Sequence, residues 1–125
     1  MIYGTFYQNN FPNIPFVDIL IGWGQSIQQH TFILDTGFSG ELKVTETMAK
    51  DLGLETIGVV PMGMINNQTQ EFPAALALVD MEGAKERVTV VIGEGLPVLG
   101  IGTLTRFGYK ACIDCKHRTV SLQKM

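Results

Sequence analysis

Glycine cuts this chain into short apolar runs, and that punctuation constrains the fold more than any other feature. Fourteen glycines are spread over 125 residues, with no low-complexity tract, charge block or long repeat between them. The segments they bound are rich in Val, Ile, Phe, Leu and Thr, side chains that suit a pleated strand. Phe16 to Ile21 reads as a strand, Gly22 to Ser26 as a turn, and Ile27 to Leu34 as the return strand. The consecutive apolar residues Phe32-Ile33-Leu34 predict burial on both faces. Further strands are predicted over Val59 to Ile65, Thr69 to Val79, Arg87 to Ile92, Tyr109 to Asp114 and Thr119 to Leu122.

Two segments carry helical signals. Thr45 is placed to cap a helix running to Leu52, with Glu46 in its first turn, Lys50 in its last and Gly53 just beyond. A shorter helix is predicted over Thr103 to Phe107, stopped by Gly108. The expected architecture is mainly β, one domain over residues 1–125, with one or two short helices. Closure into a barrel would remove its exposed strand edges.

Composition narrows the function classes. Charged residues make up 17% of the chain, against about 25% in a typical globular protein. A surface partly covered by a partner subunit fits that deficit. The net charge of −3 argues against a nucleic-acid partner. No apolar stretch approaches the roughly 18 residues of a membrane helix. The start, Met1-Ile2-Tyr3-Gly4, lacks a signal-peptide pattern, so a cytoplasmic protein is expected.

The chemistry concentrates in Phe32-Ile33-Leu34-Asp35-Thr36-Gly37-Phe38-Ser39-Gly40. An apolar strand ends in a carboxylate, followed by a hydroxyl and a glycine. Gly37 lets backbone N–H groups approach the Asp35 carboxylate, and Thr36 and Ser39 add hydroxyls. The tripeptide Asp-Thr-Gly also closes ordinary strand turns with the carboxylate in water. The preceding apolar run and the trailing Ser39-Gly40 favour a held carboxylate.

This segment resembles the catalytic loop of aspartic proteases. Leu34-Asp35-Thr36-Gly37-Phe38-Ser39-Gly40 is similar to the prokaryotic, single-domain branch of the retropepsin-like group. A second match, Val98-Leu99-Gly100 followed by Leu104, is similar to the element that packs behind the catalytic loop in that family. The resemblance runs from about Tyr3 to Leu122. It implies a closed retropepsin-like β-barrel and an aspartic endopeptidase that needs no cofactor and no metal. Such chemistry takes two carboxylates sharing one proton. None of Asp18, Asp51, Asp80 and Asp114 begins a second Asp-Thr-Gly. The second carboxylate must then be Asp35 of another copy, so a homodimer is expected.

The resemblance implies further roles. Asp35, Thr36 and Gly37 are the catalytic positions, with Thr36 bonding across the dimer axis and Gly37 donating its N–H to the carboxylate. Ile65, Asn66, Asn67 and Gln68 fall where the family has its flap, over a peptide or unfolded-protein substrate. Tyr109 to Asp114 and Thr119 to Leu122 fall in the region that helps form its dimer interface. Three positions depart from the pattern. Phe38 replaces a small or hydroxyl residue and cannot hydrogen-bond the carboxylate, which predicts activity extending toward neutral pH. The flap tip is polar rather than glycine-rich. Gly102 stands where retroviral relatives often have Asp or Asn.

Other motifs read more plainly. Cys112-x-x-Cys115 with His117 raises a zinc or thiol role, but a turn with two buried thiols is the stronger expectation. His30 reads as a structural residue on a strand face. Gly93-x-Gly95 and Gly100-x-Gly102 lack the third glycine of a dinucleotide loop and read as turns. Met48, Met62 and Met64 are expected to line the core or the cleft, with the core as the default reading. The rival to an enzyme is a dimeric module of the same fold that binds a peptide or protein without hydrolysis.

Overall fold

The computed structural model describes residues 1–6 and 13–125. Among these, the strands are β1 (Ile2–Phe6), β2 (Pro15–Trp23), β3 (Ser26–Leu34), β4 (Leu42–Val44), β5 (Thr56–Gly63), β6 (Thr69–Met81), β7 (Ala84–Ile92), β8 (Val98–Leu99), β9 (Tyr109–Asp114) and β10 (Thr119–Lys124). The helices are α1 (Glu46–Asp51) and α2 (Ile101–Phe107).

Local chemistry sets the hairpins. Strands β2 and β3 pair from Phe16↔Ile33 to Trp23↔Ser26, leaving Gly24 and Gln25 as a two-residue turn. Gly24 takes φ 61, a conformation only glycine adopts without strain. Strands β6 and β7 meet at Met81↔Ala84, with Glu82 and Gly83 both at positive φ between them. The Asp80 carboxylate accepts from the Gly83 N–H at 2.9 Å and fixes that turn.

The sheet runs β5-β6-β7-β4-β8-β3-β2-β1-β10-β9, and β2 also pairs with β6. That extra pairing, through Leu20↔Asp80, Ile21↔Val79 and Gly22↔Leu78, closes β2, β3, β8, β4, β7 and β6 into a ring. The other half of the same β2 edge holds β1 at Thr5↔Phe16 and Phe6↔Pro15. Phe32, Ile21, Leu42, Leu52, Met81, Leu99 and Leu122 are completely buried in the core. Burying each such side chain contributes roughly 1.5–3 kcal/mol. Phe32 and Leu34 are buried and Ile33 between them is half-buried, so the apolar run is fully covered on one face and partly on the other.

Helix α1 forms as its signals predict. The Thr45 hydroxyl accepts from the Met48 N–H, and Gly53 follows at φ 71. Helix α2 begins two residues before the expected Thr103. Gly100 precedes it without a side-chain cap, so the sequence carries no start signal there. Its end at Gly108 is as expected, with φ 74 and an N–H bonded to the Leu104 carbonyl. Strands β1, β4 and β8 were not foreseen. They are five, three and two residues long, too short for a periodic pattern, and only their neighbours define them.

Candidate active site

Asp35 is the first residue after β3, and three strands position it. Leu99 of β8 lies between Leu34 of β3, paired parallel, and Leu42 of β4, paired antiparallel. The chain from 35 to 41 therefore has to arch over the end of β8 to pass from one neighbour to the other. Four backbone hydrogen bonds tie that arch to the β8–α2 segment. The Asp35 N–H donates to the Leu99 carbonyl at 3.0 Å, and the Ile101 N–H to the Phe38 carbonyl at 2.9 Å. The Gly102 N–H reaches the Gly40 carbonyl at 3.0 Å, and the Gly100 N–H the Glu41 carbonyl at 2.9 Å.

This closeness explains the glycines. A Cβ on Gly100 would lie 2.3 Å from the Gly40 carbonyl oxygen and 2.5 Å from that of Phe38. The Phe38 ring lies against Gly40 and Gly100, 2.5 Å from where a Cβ on Gly40 would stand. Phe38 thus faces back onto the α2 segment and wedges the loop, which a smaller residue would leave unpacked.

Within the loop, the Gly37 N–H donates to Asp35 Oδ1 at 2.8 Å. Asp35, Thr36 and Gly37 are all exposed in the single chain. The Thr36 hydroxyl makes no hydrogen bond among the described residues. The carboxylate is therefore not buried by its own chain, contrary to what the end of an apolar strand suggests. One backbone N–H orients it and the rest of it is open.

Behind the loop stands a residue that sequence reasoning missed. The Glu41 carboxylate is only 13% exposed. It accepts from the Thr89 N–H at 3.0 Å and from two guanidinium nitrogens of Arg106. Its backbone carbonyl also accepts from the Thr103 hydroxyl at 2.6 Å. The hydrogen bonds and charge of Glu41 hold the Arg106 guanidinium above its ordinary range. Glu41 so links the loop to β7 and α2. No local pattern pairs residues 41 and 106.

Asp35 opens on a cleft of about 1570 Å³ roofed by the β5–β6 hairpin. Met62, Gly63, Met64 and Ile65 line it from one arm of the hairpin, and Gln70 to Pro73 from the other. Strand β5 ends at Gly63, two residues before the expected end, because Met64 to Gln68 form the turn. Ile65 is fully exposed at the tip and borders the cleft. Asn66, Asn67 and Gln68 form the outer turn and bond mainly to one another. The Gln68 N–H donates to Asn66 Oδ1 at 3.1 Å, and Asn67 takes φ 64. Met48 is a core residue as expected, but Met62 and Met64 are cleft residues, with Met64 41% exposed. Lys43 is also on the cleft wall, its ammonium held by the Glu94 carbonyl.

The remaining motifs separate from this site. Cys112 and Cys115 are free and exposed, which corrects the expectation of buried thiols. Both lie on a two-stranded hairpin at the sheet's edge, where one face meets water. Among the described residues, no group of three or more His, Cys, Asp or Glu side chains is placed to hold a metal ion. His30 is half-buried on β3, with Nε2 3.2 Å from Gln28 Oε1. No described helix is long and apolar enough to cross a membrane.

Neither a protein-family model nor a curated protein matches this sequence. Solved structures do match in fold. EIAV protease complexed with the inhibitor HBY-793 is 17% identical with a TM-score of 0.62, over 81% of this chain and 94% of that one. A retropepsin-like aspartic protease from Rickettsia conorii is also 17% identical with a TM-score of 0.62, over 98% of this chain and 88% of that one. The chain has the retropepsin-like fold.

Proposed function

We propose that two copies of this chain form an aspartic endopeptidase whose active site is the pair of Asp35 carboxylates. The observation that carries this reading is the exposed, backbone-oriented carboxylate of Asp35, set on a loop tied to α2 and facing a hairpin-roofed cleft. The similar fold of two proteases supports it. One chain supplies one such carboxylate, so a two-fold axis between copies completes the dyad.

In that arrangement two like charges at close range cannot both ionise, and the pair holds one proton. The ionised member takes a proton from a water, whose oxygen attacks the scissile carbonyl. The protonated member hydrogen-bonds the carbonyl oxygen as it gains charge. A proton then passes to the amide nitrogen, the C–N bond breaks, and acid and amine products leave. Gly37 holds each carboxylate in orientation, and Thr36 bonds across the axis. The β5–β6 hairpin, with Ile65, Asn66, Asn67 and Gln68 at its tip, closes over an extended peptide and excludes water. The exposed free thiols suit a reducing compartment, so we place the enzyme in the cytoplasm.

The test is digestion of unfolded casein between pH 4 and 8. Asp35→Asn is expected to lower cleavage at least about a thousandfold. Adding an equal amount of that variant to exchanging wild type should cut activity to about half, because mixed dimers are inactive. Activity should extend toward neutral pH, as Phe38 offers the carboxylate no hydrogen bond. No cleavage by the wild type at any pH would leave a peptide-binding module as the better reading.

A further inference from the structure

Among the described residues β9 is an outer strand of the sheet, with one edge on β10 and the other open. The hydrogen-bond parity of that open edge follows from the strand pair. The Met125 N–H donates at 2.9 Å to the carbonyl of Gly108, the residue opposite it in the extended β9–β10 register. Backbone groups alternate in direction along a strand. Lys110, Cys112 and Asp114 therefore turn their N–H and C=O groups to β10. Tyr109, Ala111 and Ile113 turn theirs outward, where they are unpaired among the described residues.

An open edge of this kind is a template for another strand. Its side chains favour one guest. Lys110 and Asp114 lie on the same face, two residues either side of Cys112, with opposite charges. Parity limits the ways two copies of β9 pair antiparallel about a two-fold axis, because outward groups must meet outward groups. An axis through residue 110 sets Lys110 against itself, and one through residue 114 does the same with Asp114. An axis through residue 111 or 113 sets neither Lys110 nor Asp114 across from the other, and leaves Asp114 with the His117 of its own chain. Only an axis through Cys112 sets each Lys110 across from the partner's Asp114. That register also joins Ala111 to the partner's Ile113 by hydrogen bonds and covers the side chain of Ile113, which is 37% exposed in the single chain.

We propose that β9 pairs antiparallel with β9 of a second copy about a two-fold axis through Cys112, making one continuous sheet across the dimer. The proposal rests on the paired reading above and gives that pair its register. It places the two Cys112 residues opposite each other at a non-hydrogen-bonded position, where Cα atoms approach to about 4.5 Å. A disulfide accepts Cα separations of about 4.4–6.8 Å, so this thiol pair reports the register.

The experiment is oxidation of the full chain by copper phenanthroline and air, read on a non-reducing gel. Each thiol gives up its proton, two electrons pass to the oxidant, and one S–S bond joins the copies. Cys115→Ser should still form the covalent dimer and Cys112→Ser should not. Independently of any thiol, Lys110→Glu and Asp114→Lys should each weaken the dimer about tenfold by sedimentation, and mixing the two variants should restore it. A dimer that cleaves casein but yields no Cys112-dependent link overturns this register alone. A Cys112-linked dimer without cleavage overturns the protease reading alone. A monomer at every concentration overturns both.

Discussion

The loop from Asp35 to Glu41 and the hairpin tip from Met64 to Gln68 both border the cleft. Both are short, both carry exposed residues, and each joins or ends a β-strand. They are held in opposite ways. Carbonyls of the loop receive the N–H groups of Gly100, Ile101 and Gly102, and the loop's first N–H goes to Leu99. The tip's hydrogen bonds stay within itself, from Met64 to Gln68 and from Asn67 to Met64. Exposure therefore says little about rigidity here. What separates the two is whether the backbone bonds to a distant segment or only to its own turn. A fixed base under a self-contained tip is the combination that a closing cleft needs.

Four substitutions, taken from the largest effect to the smallest, and one exchange experiment break or sharpen this contrast. Gly100→Ala puts a methyl group into the Gly40 and Phe38 carbonyls. It should cost on the order of 3 kcal/mol or more in urea unfolding. A loss below that range would mean that the loop is not pinned as described. Glu41→Gln removes the charge that holds Arg106 and retains an acceptor for Thr89. Because Arg106 is partly exposed, the expected cost is about 1–2 kcal/mol, with a fall in kcat larger than the change in KM. An unchanged kcat would remove Glu41 from any positioning role.

At the other region, Ile65→Ser should leave stability within about 0.5 kcal/mol while raising KM for peptides. A large stability loss would show that the tip is anchored after all. Asn67→Gly, at a residue already at positive φ, should change stability by only a few tenths of a kcal/mol. Amide exchange compares the regions directly. The N–H groups of Gly100, Ile101 and Gly102 should be protected close to the global limit, and those of Asn66 and Gln68 should exchange almost freely. Equal protection in both would end the comparison.

Much of the architecture was legible because its signals are local. The Thr45 cap, the Gly53 and Gly108 stops, and the turn within Gly22 to Ser26 each depend on a few neighbouring residues. The Asp35 loop was recognisable because a carboxylate, hydroxyl and glycine in succession after an apolar run is a rare pattern. Misreadings occurred where partners are distant. For Met62 and Met64 the default reading was the core and the alternative the cleft, and the cleft holds, since hydrophobicity does not reveal that a hairpin arm stands over a cleft. Cys112 and Cys115 looked buried for the same reason.

The sequence alone determined that this chain forms strands, where two helices are capped or stopped, and that one carboxylate, Asp35, follows an apolar strand. These follow from side-chain shape, backbone freedom and charge within a few residues. Only the tertiary structure decided that β8 lies between β3 and β4, that Glu41 joins Arg106 across 65 residues of chain, and that β9 has an open edge among the described residues. Those arrangements depend on which backbone groups find partners once the core has closed, and hydrogen bonding between distant segments leaves no mark on local composition.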